Sequence, residues 1–94
     1  MFLVNVKVEL GETSEKYHSQ HAEFLQQQFA NQTFLIFGRN LSREASGLII
    51  AQAESEEALR AVLAQDPYIQ HGCATIEIEQ FAPAQIAENI HQFN

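Results

Sequence analysis

Phe2, Val4, Val6, Val8 and Leu10 fall on every second position, with Asn5, Lys7 and Glu9 between them. A period of two sends alternate side chains to opposite faces, so the run predicts a strand with one buried face and requires a second layer to cover it. The alternation returns in "ATIEIEQF" at 74 to 81, with Ile76 and Ile78 inward and Glu77 and Glu79 outward. A chain bracketed by two such strands must fill the interval with elements that return it to the same sheet.

The interval reads as helix, two strands and helix. Gly11 ends the first strand, and Ser14 is the expected N-cap of a helix. Tyr17, His21, Phe24, Leu25, Gln28 and Phe29 recur along that helix at helical spacing, and Asn31 is its expected stop. "TFLIFG" and "SGLIIAQA" are apolar on both faces and flank the polar "RNLSREA", which predicts an antiparallel hairpin. Ser55, Glu56 and Glu57 open a second helix with the stripe Ala58, Leu59, Val62 and Leu63, and Pro67 sets its end near Gln65. "DPYIQHG" then reads as a turn. After Pro83, the spacing of Ile86, Ile90 and Phe93 predicts a short terminal helix.

The order βαββαβ predicts an α+β, ferredoxin-like fold: a four-stranded antiparallel sheet in the order 4-1-3-2 with two helices on one face. With 94 residues there is one domain, 1–94, comprising a core at 1–83 and a terminal helix at 84–94. The doubly apolar strands leave a hydrophobic patch on the sheet's other face. The terminal helix or a second copy of the chain would cover it, and the expectation is a homodimer paired through its sheet faces.

Twelve acids against five scattered bases give a net charge of −7, which excludes nucleic acid and anionic membranes as expected partners. No secretory leader or membrane span is read at the N-terminus, so the default expectation is a cytoplasmic protein. The single cysteine, Cys73, fits a buried strand start and excludes an internal disulfide.

Asp66 is the only aspartate among the twelve acids, and it precedes a proline. Proline keeps its predecessor out of helical geometry, and the short carboxylate suits either a turn or a fixed orientation toward a partner. His18 and His21 lie three apart on the first helix, with His21 at the edge of its buried stripe. If the turn after the second helix approaches the first, His21 and Asp66 form a dyad in which the carboxylate orients the imidazole and leaves its other nitrogen as a general base. Such a pair suits proton transfer on a small enolisable compound and needs no cofactor. Tyr68, His18, His71 and Arg39 are candidate substrate contacts. Two other readings stand beside this one. His21 and Asp66 serve as a boundary residue and a turn residue, or His18, His21 and Asp66, with His71, hold a metal. No Gly-rich phosphate loop or nucleophile elbow is present.

"HAEFL" at 21–25, "LIFG" at 35–38, "SGLIIAQAESEEAL" at 46–59, "DPYIQHG" at 66–72 and "IEIEQFAP" at 76–83 together resemble the YciI-like (YCII-related) family of small dimeric α/β-barrel proteins. The resemblance implies a ferredoxin-like subunit paired through its sheets and an active site at His21 and Asp66. Lyase and dehydrochlorinase chemistry on small aromatic compounds is attributed to some relatives, which fits a cofactor-independent lyase or isomerase. The alternative is a non-catalytic dimer that binds a small ligand or partner. Two positions depart from the family's usual pattern: His18 stands where Arg is common, and Gly38-Arg39 where Gly-Pro is common.

Overall fold

A computed structural model describes residues 1–93. Strand β1 (Phe2–Val8) leads into helix α1 (Glu12–Ala30), followed by β2 (Phe34–Arg39), β3 (Ser46–Ala51), α2 (Glu56–Leu63), the one-turn helix α3 (Pro67–Gln70) and β4 (Ala74–Gln80). The sheet order is β2-β3-β1-β4, the expected 4-1-3-2 read from the other edge, and every pairing is antiparallel.

The alternation of β1 decides which face is covered. Phe2, Val4 and Val6 are buried and pair with Ala51, Ile49 and Gly47 on one side and with Gln80, Ile78 and Ile76 on the other. Against this face pack Phe24 from α1 and Leu59 and Leu63 from α2. Phe2, Phe34, Leu59 and Leu63 are the largest fully enclosed side chains, each contributing about 1.5–3 kcal/mol by leaving water.

The two-sided apolar character of β2 has a specific cause. Phe34 pairs with Ala51, but Ile36 pairs with Ile50, so an irregularity between Phe34 and Ile36 shifts the register by one residue. An extra residue in one strand reverses the facing of all that follows. Phe34 and Phe37, three apart, therefore share the core face, while Ile36 stands on the opposite face and remains 48% exposed. There it joins Leu3, Leu48 and Ile50, none of which is buried.

Local details differ from expectation at three points. Helix α1 starts at Glu12 with Gly11 as N-cap, so Ser14 lies in the first turn, where its hydroxyl bonds back to the N–H and C=O of Gly11 at 3.0 and 3.1 Å. "DPYIQHG" contains the turn of helix α3, because Pro67 takes the first helical position and Asp66 the cap. Gly72 follows with φ +73°, the left-handed geometry that ends such a turn. The terminal helix expected over 84–94 is absent among the described residues: one 3-10 turn, Ile90–Phe93, is present, and Asn94 lies outside those residues. A short helix needs an apolar surface to pack on. Ile86, Ile90 and Phe93 have none in this subunit and stay exposed. No helix among the described residues is long and apolar enough to cross a membrane.

Candidate functional site

Asp66 is 3% exposed and has extended backbone geometry, φ −64° and ψ 124°, as its position before proline requires. Its Oδ1 accepts the backbone N–H of Tyr68 at 2.9 Å, capping α3, and is 2.8 Å from His21 Nδ1. An ionised carboxylate only accepts, so the proton of the neutral imidazole sits on Nδ1 and Nε2 carries the lone pair. One oxygen thus serves two donors, one from the start of α3 and one from the middle of α1.

Tyr68 completes the arrangement. Its ring lies against the His21 imidazole with centroids 3.8 Å apart and planes 6° from parallel. Its hydroxyl donates to the Ser14 carbonyl at 3.1 Å. Burial pushes the phenol's pKa above its ordinary value, and the neighbouring Cys73 and Asp66 add to the effect. The hydroxyl therefore stays a neutral donor well into alkaline solution.

The histidine opens onto a cavity of about 650 Å³ whose lining includes His18, His21 and Tyr68, the apolar side chains Val8, Leu25 and Phe37, and the β2–β3 loop. The His21 side chain is 16% exposed, so it is accessible from the cavity while Asp66 is closed off behind it. A smaller hollow of about 330 Å³, against Asn5, Lys7, Thr75 and Glu77, shares Asn40, Arg43 and Glu44 with this cavity and does not include the histidine.

Of the residues selected from sequence, the structure brings together His21, Asp66 and Tyr68. His18 and Arg39 line the same cavity and are themselves exposed. His71 does not line it: its ring stacks on Tyr17 at 3.7 Å and 5°, outside the cavity wall. Tyr68 lines the cavity but is itself buried, with its hydroxyl engaged by Ser14. Among the described residues no group of three His, Cys, Asp or Glu side chains converges as metal donors would. Arg43, in the loop four residues past Arg39, also lines the cavity and was missed from sequence. Its signal was available, since "RNLSREA" holds two of only five bases.

The sheet order β2-β3-β1-β4 and the helices packed on one face define a ferredoxin-like α+β fold. Muconolactone isomerase superimposes with a TM-score of 0.73 at 21% identity, covering 94% of this chain and 96% of that one. The 5-chloro-2-hydroxyhydroquinone dehydrochlorinase of Burkholderia phenoliruptrix, in complex with 2,5-dihydroxybenzoquinone, superimposes with a TM-score of 0.67 at 15% identity, covering 87% and 94%. Comparison with curated proteins gives no match. The chain belongs to the YCII-related family, whose domain model matches residues 1–82.

Proposed function

We propose that this protein is a cofactor-independent enzyme of lyase or isomerase type, with His21 as general acid/base and Asp66 as the group that orients it, acting on a small enolisable or aromatic compound. The observation that carries the reading is the 2.8 Å contact between His21 Nδ1 and a buried carboxylate, in a side chain that borders an open cavity. With Nδ1–H held by Asp66, the Nε2 lone pair removes a proton from an activated C–H. The electron pair moves into the adjoining carbonyl as an enolate. The resulting imidazolium is stabilised by the carboxylate and by the face of Tyr68. Returning the proton to a different carbon isomerises the substrate; departure of a leaving group with its electron pair eliminates it. The names of the structural neighbours, an isomerase and a dehydrochlorinase, are consistent with these two outcomes.

A second reading is favoured by the double use of Asp66 Oδ1, which caps α3 as well as meeting His21. In that reading the pair fastens α3 to α1 and closes the pocket of a non-catalytic small-ligand protein. The homodimer belongs to both readings: the uncovered face formed by Leu3, Ile36, Leu48 and Ile50 suits pairing with the same face of a second copy.

The test is substrate screening by deuterium uptake into small carbon acids in heavy water, followed by His21→Ala and Asp66→Asn. Loss of exchange in both variants, each still folded, is expected. Unchanged exchange in both would overturn the enzymatic reading.

A further inference from the structure

The cavity beside His21 differs in charge from the rest of the molecule. The chain has twelve acids and five bases. Yet the cavity is lined by two of those bases, Arg39 and Arg43, and by a single acid, Glu44. Asp66, behind the histidine, does not line it. The two ion pairs among the described residues are His21–Asp66 and Arg60–Glu56, so neither rim guanidinium is committed to a carboxylate there. On a strongly acidic protein, two uncommitted guanidiniums at one mouth form a local attraction for anions that the rest of the surface repels. Guanidinium is also the side chain best matched to a planar oxyanion, through paired N–H donors.

Much of the remaining wall is apolar, although His18, Asn40, Ser42 and Ser46 also line it. Val8, Leu25 and Phe37 line it, and Leu41, between the two arginines in the loop, is 86% exposed at the same cavity. A pocket with largely apolar walls and a few charged groups suits a ring compound held by a charged substituent.

Resting on the proposed acid/base role of His21, we infer that the substrate is a small planar organic anion, with a carboxylate or enolate held by Arg39 and Arg43 and its apolar body against Leu25 and Phe37. The arginines select the charge and fix the orientation. His21 then meets the part of the molecule that reacts.

The experiment is an NMR titration of the full-length protein with benzoate and with its neutral analogue benzamide, at low and high salt. Benzoate is expected to bind with an affinity that falls as salt rises, and benzamide about tenfold more weakly, the value of one charge-assisted contact. Arg39→Gln and Arg43→Gln should each weaken benzoate by about tenfold, while Arg39→Lys and Arg43→Lys, which keep the charge and lose the fork, lie between. Equal binding of benzoate and benzamide, no binding of benzoate, or no effect of either Gln variant would overturn the inference. All the arginine variants sit at exposed positions, and thermal melts verify that they fold. The two proposals fail separately. Arginine-dependent benzoate binding with dyad-independent exchange removes the enzyme and keeps the anion site; the reverse pattern removes the anion site alone.

Discussion

The imidazole of His21 and the ring of Tyr68 lie face to face, 3.8 Å apart and 6° from parallel, while the Tyr68 backbone N–H and His21 Nδ1 meet the same oxygen of Asp66. Tyr68 therefore restrains the histidine twice, through its ring directly and through the carboxylate its amide holds. A general base gains from such restraint because the ring need not be ordered during the reaction.

The two functions of Asp66 separate by substitution. Asp66→Ala removes the cap of α3 and leaves a poorly solvated imidazole N–H without a partner, a combined loss of about 2–3 kcal/mol. Asp66→Asn retains an oxygen that can accept the Tyr68 amide, so it should lose under about half as much stability. If the enzymatic reading holds, Asn nevertheless loses turnover by at least about tenfold, since a neutral amide does not stabilise an imidazolium. Urea melts beside a deuterium-exchange assay distinguish these outcomes.

Tyr68 can be divided in the same way. Tyr68→Phe keeps the stack and loses the hydroxyl's bond to Ser14, leaving that carbonyl short of one donor, and should cost about 1 kcal/mol. Tyr68→Leu loses the aromatic face as well and should cost about 2–4 kcal/mol through imperfect packing. Only the Leu variant should markedly depress exchange at a bound carbon acid.

Stability should decline on the alkaline side, and Tyr68 supplies part of the slope. Its phenol is pushed upward in the fold, first by burial and then by Cys73 and Asp66. The native state consequently holds this proton more tightly than the unfolded chain does. The contribution is complete below the ordinary tyrosine value of about 10 and is lost as pH rises from there toward and through the folded value. Melts of wild type and Tyr68→Phe between neutral and strongly alkaline pH should converge as that range is entered.

Leu48→Asp tests the uncovered sheet face. Leu48 pairs with Asn5 and Gly38 on the side away from the helices, and it is only partly buried. A carboxylate there would be solvated in a single subunit but desolvated and opposed by its own copy in a symmetric pair. Light scattering should show a wild-type dimer at micromolar concentration and a folded monomer for the variant.

Gly72→Ala should destabilise by about 1 kcal/mol, because a residue with a Cβ is strained at φ +73°. Nothing lies within 4 Å of the added atom, so the cost is conformational rather than steric crowding. Denaturant melts measure it directly.

Much of this was legible from the sequence because period is a property of residue order alone. The alternation of β1 from Phe2 to Val8 and of β4, and the start of α2 at Ser55, whose hydroxyl accepts the Ala58 amide at 3.0 Å, emerge where expected, whereas Leu10 lies past the end of β1 and Phe29 of the α1 stripe is half exposed. The features that escaped depend on neighbours remote in sequence. The register shift after Phe34 was visible only as a strand apolar on both sides, and its meaning needed the partner strand. Ile86, Ile90 and Phe93 have helical spacing but nothing to pack on, so spacing misled. The meeting of His21 with Asp66, 45 positions apart, followed from helix and turn sharing an end of the sheet. The stacking of His71 on Tyr17 and the place of Arg43 in the cavity lining likewise depend on how a turn and a loop fold.

Sharing Oδ1 of Asp66 between an amide and an imidazole makes one atom both a keystone of the backbone and a setting for the ring. Any fluctuation that unwinds the single turn after it also loosens the histidine. Hydrogen-exchange protection of the Tyr68 amide would therefore report, in the resting protein, how much of the time that ring is held in place.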